Sequence, residues 1–376
     1  SLQQALAAGA EDAHTHGLLA AAYAHQDRCD TAQAHYEQAL DLDPAQPQAL
    51  EAAEMCQEAE ASPATGSTSE PAEASTPEST ASPTRRPASL PALSGQIAFP
   101  VWNAEGGKYD TYIAQANDGS ERQLVVEEMH QPALSSDGQW LAVNGERHEH
   151  MDLFIVKPDG TQLTAITSFV EDGQPNWSPD SRKLAFASDR HGDKEYRIYI
   201  IDDVPLGGGR VEGRTLNDGA DDIRGQLPAW TSDGQIVFRG CHPDSPRTVC
   251  DGTGLYIVTA EPGPHSPEKL TDHGEDTAPA AHGDKVAFMS NRDGDWDIYV
   301  MNIDGTDLER LTDNEAHDGL PTWSADGETI AFVSNEGGPW AIWAMNADGS
   351  SRGKLFDVGG GGLAYDWQHE RIGWGP

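Results

Sequence analysis

Lysine is scarce in this sequence. Only 7 of its 24 basic residues are Lys, they face 62 Asp and Glu, and the formal net charge is −38. A surface that negative repels phosphate backbones and anionic lipid, which argues against nucleic-acid binding and adsorption to membranes. A long apolar run is also missing, and nothing approaches the ~18–20 residues that a membrane-spanning helix requires. Neither an initiator Met nor a leader is present, so Ser1 reads as a processed or trimmed start. Cysteine is rare as well. The four Cys contain no C-x-x-C pair, which leaves zinc and thioredoxin-type chemistry without support. Cys241 and Cys250 bracket the loop CHPDSPRTVC, while Cys29 and Cys56 lie in an N-terminal helical region. Two readings are open: the disulfides Cys29–Cys56 and Cys241–Cys250 in an oxidising compartment, or four buried thiols. Each pair falls within one local module, which favours the disulfides.

Gly (39) and Pro (24) are plentiful, and the chain divides into three compositions. Residues 1–58 are rich in Ala, Gln and Leu. Read as a 34-residue unit from Ala13 to Gln46, they place Leu19, Tyr23, Ala32, Tyr36, Ala39 and Pro44 at fixed spacing. The stretch THGLLAAAYAHQDRCDTAQAHYEQALDLDPAQPQAL thereby resembles the tetratricopeptide family, with His16 and Ala20 departing from its Trp and Gly. The resemblance implies paired helices, the second ending at Asp43-Pro44 because Pro cannot continue the hydrogen-bond ladder. One repeat is short of the roughly three that such arrays need, so the unit is either a minimal capped module or packs on something else. Residues 59–93 are a Ser/Thr/Pro/Ala-rich tract without aromatics, which reads as an extended linker and a candidate for O-glycosylation.

Residues 94–376 carry the strongest signal. Strand-like runs recur as GQIAFP, QWLAVN, RKLAFAS, GQIVFRG, DKVAFMS and ETIAFVS, each followed by a second run such as DTYIAQA or DIYVMNI. Before most of them stands a Pro signature: QPALSSDG, QPNWSPDS, LPAWTSDG, APAAHGD and LPTWSADG. From Pro132 through Pro175, Pro228, Pro279 and Pro321 the spacings are 43, 53, 51 and 42 residues. That is the period of a four-stranded propeller blade. Asp118-Gly119, Asp159-Gly160, Asp304-Gly305 and Asp348-Gly349 supply hairpin turns. The units PTWSADGETIAFVSNEGGPWAIWAMNADGSSRGKL and KVAFMSNRDGDWDIYVMNIDGTDLERLT resemble the TolB-type propeller family. The expected fold is mainly β: a six-bladed β-propeller preceded by a small α-helical module, with seven blades as the alternative. LAYDWQHERIGW at the C terminus reads as the opening of a unit, with Trp367 in the position of Trp323. The simplest closure takes the first blade's inner strand from this segment, which removes exposed sheet edges.

Stacking the repeats gives a candidate metal site. Three residues before the signature Pro stand Asp172, Asp276 and Asp318, preceded at two of those places by Glu171 and Glu275. Carboxylates converging on one axis repel unless a hard cation or a basic group neutralises them. The TolB resemblance implies a calcium-associated channel that takes up partner peptides, so Ca²⁺ at Asp172, Asp276 and Asp318 is one expectation. The other is that these Asp cap the turn before each strand. His148 with His150, the loop residues Asp293, Asp295 and Asp297, and the lyase-like positions His130 and His317 are weaker metal candidates. No G-x-S-x-G nucleophile elbow is expected, and no room remains for a hydrolase fold.

The sequence therefore reads as a secreted or periplasmic, non-catalytic protein-interaction scaffold. The alternative is a self-assembling subunit of an extracellular filament, since a lone helical repeat needs a neighbour. A lyase-type enzyme is the third reading.

Overall fold

Each repeat supplies four short antiparallel strands, and apolar alternation fixes which face of each sheet is covered. In this computed structural model the described residues are a helix, Cys29–Leu42, single positions at 20, 53 and 56, and most of 93–376. Within that last span, 169–170, 206–208, 210, 212, 217–222, 242–252 and 365 are outside the description. The chain separates into two units, Ser1–Thr84 and Arg85–Pro376.

In the first unit the helix Cys29–Leu42 stops immediately before Asp43-Pro44. Ala39 is buried and Tyr36 half-buried. The partner helices of the expected tetratricopeptide-like module over 1–58 fall outside the described residues, and so does the linker up to residue 92.

The second unit is a six-bladed β-propeller. Its blades, each a four-stranded antiparallel sheet, span 96–126, 129–165, 172–215, 225–269, 277–310 and 318–357. The expected pattern of an inner Pro signature, a second strand and a third strand holds in blades two to six. On the second strands Phe99, Phe186, Phe238, Phe288 and Phe332 stand directly opposite Tyr112, Tyr199, Tyr256, Tyr299 and Trp343 on the third. Cross-strand aromatic pairs of this kind add about 0.5–1.5 kcal/mol beyond area burial. In four blades the turn after the inner strand is locked by a hydroxyl–carboxylate hydrogen bond. The pairs are Ser135–Asp137, Ser178–Asp180, Thr231–Asp233 and Ser324–Asp326, each at 2.5 or 2.6 Å.

Blade one obtains its inner strand from the C-terminal end of the chain. Gly373–Gly375 pairs with its second strand in the register Gln96↔Gly375, Ile97↔Trp374 and Ala98↔Gly373. Because Trp323 pairs with Ile330 in blade six, the residue equivalent to Trp323 is Trp374. This corrects the assignment of Trp367 to that place. Trp367 sits in a single 3₁₀ turn, Trp367–His369, packed 4.8 Å from the Trp340 ring and 6.3 Å from that of Trp296.

The closing strand lies close to the inner strand of blade two. A Cβ on Gly373 would come within 2.9 Å of the Leu134 backbone nitrogen and 3.2 Å of the Pro132 carbonyl. Backbone cannot yield as a side chain can, so Gly373→Val is expected to cost at least the ~1–3 kcal/mol typical of overpacking. A thermal melt of the variant checks this, and an unchanged transition would show that the strand does not close the ring.

Candidate functional site

The inner strands form the wall of the central channel, and each is distorted at the same point. Gln131, Gln174, Leu227, Ala278 and Leu320, the residues before the signature Pro, have φ between 47° and 58°. The strand register shifts at each of them. Residues before Pro normally avoid the α regions, and a non-Gly residue at positive φ costs of order 1–3 kcal/mol. The bulge takes the residue's N–H out of the ladder, and neighbouring segments accept four of these groups, that of Leu320 through Met289 Sδ at 3.4 Å and three through oxygen. Gln131 N–H donates to Glu370 Oε2 at 3.1 Å, Gln174 N–H to Gln131 Oε1 at 2.7 Å and Leu227 N–H to Gln174 Oε1 at 2.9 Å. A belt of hydrogen bonds thus runs from the C-terminal segment around to blade four. By register, Arg371 occupies the sixth place on the wall.

One mouth of the channel opens into a pocket of about 330 Å³ lined by His130, Asn144, Gln174, Tyr196, Gln226 and His369, among others. His130 Nδ1 lies 2.6 Å from the buried Glu370 carboxylate, its Nε2 faces the Asn144 amide at 3.2 Å, and its ring stacks on Tyr109. Burial opposes the charged imidazole, but the Glu370 charge and hydrogen bond outweigh it, and Asp366 adds to them. The His130 pKa is therefore raised above its usual 6.5. A doubly protonated ring needs an acceptor at Nε2. Turning the Asn144 amide supplies one, because its Oδ1 is buried without a partner in the present orientation.

The three Asp expected to hold calcium are all buried, but each is compensated within its own blade. Asp172 accepts from Arg190 at 3.2 Å, Asp276 is paired with Arg292, and Asp318 accepts from Asn314 at 2.8 Å with Arg352 3.8 Å away. Arg190 and Arg292 also lie over the aromatic pairs of their blades, 4.1 Å from the Tyr199 ring and 4.9 Å from that of Tyr299. Among the described residues no group of three or more His, Cys, Asp and Glu is placed to hold a metal ion. The geometry is that of separate Asp–Arg–aromatic stacks. A sequence signal for two of them was available in Ser188-Asp189-Arg190 and Ser290-Asn291-Arg292, each just after a second strand.

A model of the TolB beta propeller domain matches residues 267–361. An uncharacterised protein of Agrobacterium fabrum is 31% identical over 137 residues, covering 34% of this chain and 45% of that protein. A TolB homolog of Chlorobium luteolum is 25% identical over 210 residues, covering 53% and 44%. TolB from Acinetobacter baumannii superposes with a TM-score of 0.60 at 19% identity, over 76% of this chain and 68% of that one. The propeller is TolB-like. The aligned segments span less than half the length of the two sequence relatives.

In the TolB-like propeller the remaining candidates have structural settings. His148 and His150 are exposed at a hairpin whose two central residues, His148 and Glu149, both have positive φ. Arg310 stands among Asp293, Asp295 and Asp297 and bonds the buried Asp297. His317 packs on Trp367. The expectation of no G-x-S-x-G string needs correction, since Gly349-Ser350-Ser351-Arg352-Gly353 spells one. It forms the hairpin between the last two strands of blade six, not a strand-to-helix elbow, and Ser351 Oγ is buried without a partner to activate it. Cys56 and Cys241 are both disulfide-bonded. The side chains of Cys29 and Cys250 lie outside the described residues, so the pairing stays an expectation.

Removing one partner of a buried ion pair leaves an uncompensated charge. Arg292→Met is therefore expected to destabilise the propeller by about 3–5 kcal/mol, with no recovery on adding calcium. Asp318 differs, because burial raises its pKa against its hydrogen bonds and one carboxylate oxygen has no partner. Asp318→Asn should leave neutral-pH stability equal or higher, and the gap from wild type should close as pH falls through the raised pKa. Paired melts of the two variants check both statements.

His130 gives a pH signature of the opposite residue type. With its folded pKa above 6.5, the stabilisation from Glu370 is complete below the unfolded value and is lost as pH rises through the folded one. The stability difference between wild type and His130→Gln should accordingly widen as pH falls from 8.5 to 6. Calorimetry over that range measures it, and a constant difference would mean the ring stays neutral.

Proposed function

We propose that this protein is a non-catalytic, extracytoplasmic binding protein whose channel mouth beside His130 takes up an extended peptide segment of a partner protein. The observation that carries this reading is a pair of unsatisfied amides on a rigid frame. Gln174 Nε2 bonds to no described residue, and Asn144 keeps one amide atom unpaired whichever way its amide is turned, Oδ1 as it stands or Nδ2 once Oδ1 faces His130; both side chains line the same mouth. An extended peptide offers a carbonyl and an N–H at each residue, which is the complement such amides need. The five strained pre-proline residues hold the wall in place, and strain of that kind collects where function keeps it. The TolB-like fold supports the reading, and the bonded state of Cys56 and Cys241 supports an oxidising compartment. The helix Cys29–Leu42 is in keeping with a tetratricopeptide-like module as a second interaction element. Nothing among the described residues favours the filament reading, and the peptide reading requires no calcium.

Crosslinking tests it. A photoreactive amino acid replacing Tyr196, which lines the mouth, should capture one defined partner in the native cell envelope. The same residue in place of the exposed Leu163 should not. Gln174→Glu, which keeps the oxygen that accepts the Leu227 N–H but removes the amide donor, should reduce the captured product several-fold. Equal capture from both positions, or none from Tyr196, would defeat the proposal.

A further inference from the structure

The opposite end of the channel holds a second cavity, of about 380 Å³, at the end where the signature Trp residues lie. Arg371, Trp177, Trp230 and Trp323 line it. In blades three and six the indole N–H of the signature Trp is satisfied by the preceding blade: Trp177 donates to Ala133 O and Trp323 to Ala280 O. Trp230 breaks this series. Its ring is 7% exposed, and its Nε1 is buried without an acceptor.

Arg371 is the stronger anomaly. Its Nη2 donates to the Pro228 carbonyl at 2.8 Å, and its Nε is buried without a partner. No carboxylate among the described residues pairs with it. The neighbouring Glu370 carboxylate is occupied by His130 Nδ1 and the Gln131 N–H. Arg190, Arg292, Arg310 and Arg352, by contrast, each lie within 4 Å of a buried Asp. Desolvation without such a partner pushes the Arg371 pKa down to about 10, which still leaves the guanidinium charged at neutral pH. In a chain with 62 acidic residues this guanidinium of the channel thus has no counter-charge among the described residues. Arg371 is half-buried, and a guanidinium without a counter-charge whose Nε is buried and unpaired, beside a buried indole donor without an acceptor, is costly unless something else satisfies them.

We propose that this cavity is a carboxylate-binding site, with the Arg371 guanidinium as the charge partner and Trp230 Nε1 as a second donor. Arg suits the task because its planar fork matches the two carboxylate oxygens. The net charge of −38 repels ligands that are anionic overall. The carboxylate therefore belongs to a ligand that is neutral or cationic as a whole, and the C-terminal carboxylate of a short basic peptide meets that description. The site is at the other end of the channel from the proposed peptide mouth and does not rest on it.

Tryptophan fluorescence of the full chain provides the readout, because Trp177, Trp230 and Trp323 surround the cavity. The probes are the tripeptide Lys-Ala-Ala with a free C terminus, the same tripeptide as its C-terminal amide, and acetate. The free acid should give a saturable change, and the amide should bind at least tenfold more weakly. Arg371→Met should abolish the response. Trp230→Phe keeps the ring without the donor and should weaken binding several-fold, which tests the site even if Arg371→Met does not fold. Competition by acetate would assign the site to small carboxylates, and its failure to compete would assign it to chain termini; both support carboxylate recognition. Equal binding of acid and amide, no response to the free acid at 10 mM (roughly the top of the millimolar range of weak complexes), or an unchanged affinity in Trp230→Phe would overturn it.

Discussion

A radial array of sheets leaves one blade incomplete, and the whole propeller depends on how that gap is filled. Three residues, Gly373–Gly375, pair with Gln96–Ala98 from the start of the domain. An unpaired inner edge would offer free backbone groups to any passing strand, so closure also protects against aggregation. The same short segment brings Glu370 and Arg371 to the channel. Closure and the two unusual charged positions of the channel are therefore one structural event: the chain end that seals the ring also furnishes its chemistry.

The channel wall is held by side chains that reach between blades. Gln131 and Gln174 accept the N–H groups released by bulges in the next blade, and Glu370 begins that belt. Such hydrogen bonds are individually worth about 0.5–1.5 kcal/mol, but an unmade one at a bulge would cost more. The belt consequently fixes neighbouring blades relative to each other around one axis. Groups left over after it is complete, the Gln174 Nε2 and the Asn144 amide at one end and Arg371 with Trp230 at the other, are the ones on which the two proposed sites rest.

The acidity of the chain has two distinct structural expressions. At the surface, Asp118, Asp159, Asp304 and Asp348 close hairpins by accepting N–H groups two residues on, and at Asp118, Asp159 and Asp304 the side chains of Ser120, Thr161 and Thr306, together with those N–H bonds, hold the pKa below the usual value. In the interior, Asp172, Asp276 and Asp297 face arginines. With few cations available, the use of Arg rather than Lys is physically consistent, since a guanidinium can bond a carboxylate and lie over an aromatic ring at once. Arg190 and Arg292 do both.

The sequence by itself determined the fold. The Pro signature recurs at a blade period, the apolar runs alternate, and the Asp-Gly turns lie between them, so a propeller of four-stranded blades follows from local pattern, with six expected and seven left open until ring closure settled it. It also indicated closure by the C-terminal segment. It misplaced the register, because Trp367 and Trp374 both resemble the signature Trp and only backbone pairing with Ile97 distinguishes them. It could align Asp172, Asp276 and Asp318 at equivalent positions, but equivalence along the chain is not convergence in space. Whether three buried carboxylates share a cation or each takes its own arginine depends on side chains from other strands, and only the tertiary structure brings Arg190, Arg292 and Arg352 to them. The same holds for His130 with Glu370, which are 240 residues apart, and for Arg371, whose lack of a counter-charge among the described residues becomes visible only when everything around it is in place.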